Sequence, residues 1–382
     1  LLGCCGAALL LGSAGPAPAA APAPPVTAFV HPGLLHTQAD LARIKDRLRA
    51  GESPWREGFE KLRSHPQSQP DYRMRGPFAE VVRGPRESRH IAELEADANA
   101  AYQNALLWCL TGNPAHAGKA REIVNDWAAT LRKITGHDRH LAAALCGFKL
   151  VNAAELLRHS DAGWQAADVA RFEALLRTVI EPVIHDFATF ANGNWDTACI
   201  KTMLASGVFL DDRRLFDRAV DYYHHGTGNG ALTHYIINDS GQCQESGRDQ
   251  QHTQLGLAHL AEACEIAWHQ QRDLYGAAGN RLLRGFEYTA KYNLGQDVAF
   301  VPHTDRTGKY HAKAISSEGR GRLRAIYELV WNHYERRQPI PAPFTRQAAG
   351  KIRPEGAAFG ADHPGFGTLL FTLPDEGSTP RP

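Results

Sequence analysis

Neither sign of charge is in excess in this chain. With 42 Lys and Arg against 41 Asp and Glu it lacks the cationic surplus of a nucleic-acid binder. No nucleic-acid partner is expected, and any polyanion must be met by a local cationic groove. Phosphate-cradling glycine loops and dinucleotide fingerprints are missing, as are the Gly-x-Ser-x-Gly elbow and the His-Glu-x-x-His helix. Their absence sets aside nucleotide-driven chemistry and the commonest serine and zinc hydrolases. His224-His225 are adjacent rather than a helical turn apart, and His303-Thr304-Asp305 alone is a weak ligand set. Neither a metal nor another cofactor is therefore expected. Cysteine is sparse after the first five residues. Cys109, Cys146, Cys199, Cys243 and Cys264 are odd in number without Cys-x-x-Cys spacing, which argues for buried thiols rather than a disulfide framework. Strand signals are limited to Leu232–Ile237 and Thr368–Leu373, too few for a sheet-based fold. Past the N-terminal leader no run reads as long and apolar enough for a bilayer, so no stable membrane insertion is expected.

What is present begins with that leader. Leu1 to Leu11 is apolar, and Ala19 to Ala21 offers small residues for cleavage, as in a signal peptide. Leu1-Leu2-Gly3-Cys4 also resembles a lipobox, and Gly15 to Pro25 reads as a Pro/Ala linker. Residues 1–25 are expected to be targeting segment and linker, residues 26–382 one domain, and the location periplasmic or secreted. Helical periodicity fills the rest. Thr37 to Asp40 opens a helix through Arg49 with a capping-box pattern. A stripe of Tyr102, Ala105, Leu106 and Cys109 stops at Thr111-Gly112-Asn113-Pro114. Further helices are predicted over residues 120–134, 141–157, 166–190, 195–209, 213–225, 248–271, 277–292 and 320–334. Short Gly, Asn and Asp turns between them predict antiparallel hairpins, and no strict repeat supports a solenoid. An all-α (α/α) toroid, a ring of hairpins around a central groove, fits better.

The densest polar pattern is Gln244 to His252. At helical spacing Glu245, Arg248, Asp249 and His252 share a face that continues into Leu255, Gly256 and His259. Such a stripe suggests a helix leaving a core to line a cleft. The plainer alternative is a solvated first turn with acids at the positive helix end. Three long connections stand out, at residues 66–88, 226–247 and 295–319. The last contains His303, Asp305, Arg306, Lys309, Tyr310, His311 and Lys313. Ala191 to Asp196 reads either as an ordinary Asn-Gly-Asn turn or as amides, Asn192 and Asn194, beside an aromatic platform, Trp195, that could stack on a sugar.

His252, Arg306 and Tyr310 make sense together for one reaction. Beta-elimination in a uronic-acid polymer removes the weakly acidic C5 proton, which the neighbouring carboxylate opposes. Hydrogen bonds from Asn, His and Arg to that carboxylate would stabilise the developing enolate. A tyrosine among cations could remove the proton and then protonate the departing O4, because positive neighbours favour phenolate. A competing reading, a glycoside hydrolase, needs two carboxylates, and Asp196, Glu245 and Asp249 are available. A third is a non-catalytic exported glycan-binding protein that keeps the Trp and Arg contacts.

Several segments resemble the alginate-lyase superfamily of polysaccharide lyases. They are Ala101-Tyr102 with Ala105-Leu106, Thr111-Gly112, Ile123-Val124-Asn125-Asp126-Trp127, and Lys149 through Arg158, within a match from about Pro32 to Tyr334. The resemblance implies an exported enzyme on an (α/α) toroid that cleaves an anionic polysaccharide. It also implies an Asn before an inner helix, for which Asn194 or Asn192 stands, a His on the next inner helix, His252, and an Arg and Tyr, Arg306 and Tyr310. Polysaccharide lyase family 5 carries Asn-Asn-His-Ser-Tyr-Trp where this chain reads Asn192-Gly193-Asn194-Trp195, without that His. The chain is more similar to family 38, which implies mannuronate-rich alginate or glucuronan as substrate. Both sugars place the C5 hydrogen and O4 on one face, so syn elimination lets Tyr310 serve as base and acid. Glu245, Arg248, Asp249 and His303, with Asn192 and Trp195, are the expected substrate-binding or supporting residues. Tyr288 and Tyr292 compete for the tyrosine role, although a helical stripe with Phe286 suggests core packing.

Overall fold

The computed structural model describes residues 28–374, so the expected signal peptide and linker lie outside the described residues. Four helices, Ile91–Thr111, Arg139–Arg158, Gly193–Phe209 and Gln250–His269, form the inner wall of a ring. Each is followed by an outer helix, namely Pro114–Thr130, Ala166–Leu175, Arg213–His225 and Ala277–Asn293. Inner helices pack on one another in succession and on their outer partners, the arrangement of an (α/α) toroid.

Sequence pattern separates the two layers. Inner helices are buried on nearly every side, polar residues included, and Arg139–Arg158 is buried from His140 to Leu157. That helix is long and apolar enough to cross a membrane by composition, contrary to the sequence reading, but it is wholly enclosed by the ring. Outer helices bury one stripe. In Arg213–His225 the buried residues are Phe216, Ala219, Val220 and Tyr223, spaced i, i+3, i+4 and i+7. Helix starts follow local chemistry. Thr37 and Asp40 form the expected capping box, and Asn113 caps a helix whose first residue is Pro114.

Several expectations are corrected. Leu232–Tyr235 is a single helical turn, and Gly367–Phe371 is a helix rather than a strand. Over residues 320–334 only Tyr327–Asn332 is α-helical, followed by a wider turn at His333–Arg337. The strands lie elsewhere. Glu80–Val82 pairs in parallel with Lys133–Thr135, and His303–Thr304 pairs antiparallel with His311–Ala312.

The C-terminal segment closes the ring. Gly367–Phe371 packs against Trp55–Arg63, Gln38–Arg49 and Tyr327–Asn332. A Cβ on Gly58 would lie 2.8 Å from the Leu369 nitrogen, so glycine permits this approach. Just before it, residues 360–362 reach the inner wall. The Asp362 carbonyl accepts from Lys201 Nζ and His259 Nε2, both at 3.0 Å, and the Asp362 carboxylate pairs with Arg324 at 2.7 Å.

Candidate active site

The third and fourth inner helices begin side by side. Asn192 ends the extended approach to Gly193–Phe209, but no side chain of its own caps that helix. Instead Gln244 Oε1 accepts the Gly193 N–H at 2.9 Å, and Glu245 Oε2 accepts the Asn194 N–H at 2.8 Å. A carboxylate thus meets the positive end of the helix dipole. Asn194 Nδ2 donates to both Glu245 oxygens, at 2.7 and 3.0 Å, and Asn194 is buried. Its amide is therefore a structural tether. Asn192 differs. Its Oδ1 accepts from Gln244 Nε2 at 3.1 Å, while its Nδ2 has no partner among the described residues. Gly193 is explained by packing rather than by a turn, because a Cβ there would lie 2.3 Å from the Tyr235 ring.

Glu245 to Arg248 is not the start of a helix, as the spacing suggested. It is a tight turn in which the Arg248 N–H donates to the Glu245 carbonyl at 2.8 Å. The helix begins at Gln250 with Asp249 as its cap. The turn nevertheless brings the four polar side chains together. Arg248 Nη1 donates to Glu245 Oε1 at 2.8 Å, and Arg248 Nη2 lies 3.1 Å from His252 Nε2. Asp249 Oδ1 accepts the His252 backbone N–H at 2.7 Å, and Oδ2 lies 2.6 Å from His252 Nδ1. These contacts assign the tautomer: Nδ1 carries the proton toward Asp249, and Nε2 accepts from Arg248. Exposure rises along the chain of contacts, from 0% for the Glu245 side chain to 36% for Arg248 and 39% for His252, so imidazole and guanidinium face the solvent.

Charge follows the same gradient. Burial pushes the Glu245 carboxyl up, and Arg248, His252 and Asn194 pull it only part of the way back. Burial also opposes ionisation of Asp249, but hydrogen bonds from the His252 ring and backbone, with the positive neighbours, outweigh it and hold that carboxyl at about 2. Asp249 is thus a fixed negative charge behind the imidazole.

The loop that carries Tyr310 is pinned at both ends of this arrangement. Asp305 collects the backbone N–H groups of Thr307, Lys309 and Tyr310, and Asn229 Nδ2 bridges Asp305 Oδ2 to the Ala191 carbonyl. Lys309 Nζ donates to the Phe190 carbonyl at 3.1 Å. Beyond Tyr310, Ala312 lies over Gly247, where a Cβ would come within 2.3 Å, and the Ser316 N–H reaches the Ser246 carbonyl at 2.9 Å. The backbone of Tyr310 therefore lies between anchors on Phe190–Ala191 and on Ser246–Gly247, the segments flanking Asn192 and Arg248. Its side chain is exposed, at 40%.

Other candidates fall into place around it. Arg306 Nε donates to the Thr227 carbonyl at 2.8 Å, and no hydrogen bond joins it to His252 among the described residues. Arg248 holds the place beside the imidazole that the sequence reading gave to Arg306. His303 is half-buried in the loop's first strand, and burial lowers its pKa. Trp195 meets His137 and Phe190 edge to face, at 5.7 and 6.2 Å between ring centroids. Phe190, exposed and next to the Asn192 segment, was missed by the sequence reading, although an aromatic beside Asn-Gly-Asn-Trp was a visible signal. Tyr288 is buried with its hydroxyl on the Ala299 carbonyl, and Tyr292 is buried under the Arg320 guanidinium. Neither can reach a polymer. The acids weighed for a hydrolase are engaged in holding the structure. Asp196 is enclosed by the N–H groups of Ala188 and Gly230 and the Tyr222 hydroxyl, and Glu245 is saturated by Asn194 and Arg248. Beside Gln251 opens a hollow of roughly 570 Å³ lined in part by Arg322, Arg324 and Phe359.

Fold and site together define a class: an (α/α) toroid with polar and cationic side chains gathered at the starts of its third and fourth inner helices. The chain belongs to the alginate lyase family, whose model matches residues 45–299, and it is a polysaccharide lyase. An alginate lyase from Bacteroides ovatus is similar with a TM-score of 0.60 and 14% identity, over 90% of this chain and 100% of that one. Alginate lyase A1-III from Sphingomonas species A1 gives a TM-score of 0.65 and 16% identity, over 88% and 95% of the two chains. A tyrosine-to-phenylalanine variant of A1-III complexed with a tetrasaccharide gives 0.61 and 15%, over 88% and 95%. No curated protein matches the chain.

Proposed function

We propose that this lyase cleaves mannuronate-rich alginate, with glucuronan as the alternative polymer, by syn beta-elimination. The observation that carries the reading is the contact chain Asp249–His252–Arg248–Glu245–Asn194, set beside the loop that bears Tyr310. In this reading the substrate carboxylate replaces the Arg248–His252 contact. It takes one hydrogen bond from Arg248 and one from a His252 that has gained a proton on Nε2, and Asp249 stabilises the imidazolium. The free amide of Asn192 donates to the same carboxylate, a role that passes to it from the buried Asn194. Tyr310, as phenolate, takes the C5 proton. The electron pair forms the C4–C5 double bond, the C4–O4 bond breaks, and the departing O4 takes the proton from Tyr310. Arg306 and Lys309 supply positive surroundings for the phenolate. Trp195 and Phe190 offer a sugar platform on one side of the cleft, and the hollow with Arg322 offers a carboxylate subsite on the other.

The test is a screen of polymannuronate, polyguluronate and glucuronan for the ultraviolet absorbance of a 4,5-unsaturated uronyl end. Turnover of polymannuronate or glucuronan is expected. Guluronate reverses the configuration at C5 and should be a poor substrate. Turnover confined to polyguluronate, or product without an unsaturated end, would overturn the reading.

A further inference from the structure

At the far end of the ring, where the inner helices finish, a second group of polar side chains meets. Glu155 lies in the last turn of Arg139–Arg158 with 1% exposure, and His159 follows one helical turn later. His31 arrives from the N-terminal segment, and Asp211 from the turn after Gly193–Phe209. His31 Nδ1 lies 2.8 Å from Glu155 Oε1, and its Nε2 lies 3.3 Å from Asp211 Oδ1. Donor atoms of His31, Glu155 and His159 all fall within 4.8 Å of one another.

Two observations mark this set as incomplete. Glu155 Oε2 and His159 Nε2 are both shielded from solvent, and neither has a hydrogen-bond partner among the described residues. They face each other at 3.7 Å, too far for a hydrogen bond. An enclosed carboxylate oxygen without a partner is costly unless something fills the gap. Charge is also unbalanced. Two carboxylates face two imidazoles, and among the described residues neither carboxylate is paired with a Lys or Arg.

We propose that His31, Glu155 and His159 bind a divalent transition-metal ion, for which zinc is the best match, with Asp211 behind His31 on its other ring nitrogen. Two imidazoles with carboxylate oxygens are an ordinary zinc ligand set. Calcium and magnesium prefer six or more oxygens, which this group does not offer. A dication would balance Glu155 and Asp211 and give both unpartnered atoms a ligand role. The His31 and His159 rings stack at 4.4 Å, 13° from parallel, so they must fan apart to aim both lone pairs at one ion. His159, a quarter exposed, can turn. The ion would fasten the entering chain to the ring, where the Gly33 N–H already donates to Glu155 at 3.0 Å. The site lies away from the elimination cleft and does not depend on the substrate assigned there.

The test uses the full chain, freed of metal with a chelator and titrated with zinc chloride by calorimetry. One equivalent is expected to bind, with a rise in melting temperature. Glu155→Gln and His159→Ala should each weaken binding by at least about tenfold. Because Glu155 also holds Gly33, its variant can lose stability for another reason. His159→Ala, at a partly exposed position, should keep the melting temperature of the metal-free parent and still lose the zinc. His252→Ala should bind zinc as the parent does. The proposal is overturned if the parent binds no equivalent, if His159→Ala binds as tightly as the parent, or if His252→Ala alone abolishes binding.

Discussion

Asp249→Asn separates the two duties of one carboxylate. Oδ1 caps the fourth inner helix through the His252 backbone N–H, and Oδ2 holds the ring Nδ1. Asparagine caps as well as aspartate, so its oxygen would keep the backbone contact. Its nitrogen would then face Nδ1 and present a donor. The imidazole proton would be driven to Nε2, where an Arg248 N–H already points, and two donors would oppose each other. The ring must swing out or lose Arg248. Removing the charge also removes what holds the Asp249 carboxyl at about 2 rather than 3.8, worth on the order of 2 kcal/mol of folded-state stability at neutral pH. That contribution is present above pH ~4 and fades as pH falls through ~2, so the difference between parent and variant should shrink below pH ~4. Asp249→Ala should cost roughly a further 1 kcal/mol for the lost cap. Turnover, read from the unsaturated product, should fall by about 10- to 100-fold in Asp249→Asn, as for other residues that orient a histidine. A kcat within about threefold of the parent, in a variant that melts as a folded protein, would refute this account of how His252 is aimed.

Tyr310→Phe should abolish elimination yet bind polymer with near-parent affinity by calorimetry, and persistent turnover would remove the phenol from the reaction. His252→Ala should lower kcat strongly, because the ring that Asp249 holds toward the cleft is lost, and an unchanged kcat would refute its role. His36 is enclosed, and burial, aided by His269 and Arg43 and opposed by Asp40, holds it at about 4. Its unfolded form therefore binds a proton first, and stability on the order of 3 kcal/mol should be lost as pH falls from ~6.5 toward ~4. The melting temperature of His36→Gln should fall less steeply over that window than that of the parent, and equal slopes would count against the assignment.

Local pattern carried much of the fold and less of the site. The outer helices were legible because each buries a single stripe, as Arg213–His225 does. The inner helices were legible as helices, but their common wall is a long-range property. Glu245, Arg248, Asp249 and His252 were grouped correctly on a mistaken premise, since a tight turn and a helix cap bring the same side chains together as a helix face would. Gly193 looked like turn chemistry because nothing nearby in sequence announces the Tyr235 ring that requires it. The exchange of Arg306 for Arg248 has a similar cause. The loop's anchors, Asn229, Phe190 and Ser246, lie tens of residues away from it, and spacing rules do not reach that far. His31 and Glu155 are separated by 124 positions, so their meeting has no signature in the sequence either.

The latch formed by residues 360–371 makes the ring a structure with a keystone. Lys201 and His259, on two different inner helices, both donate to the carbonyl of Asp362, so the inner wall is completed by chain 103 residues past His259. A ribosome that has released the fourth inner helix, Gln250–His269, still holds a molecule with an open axis. Loss of residues 360–371 should therefore cost the fold as a whole rather than trim an edge.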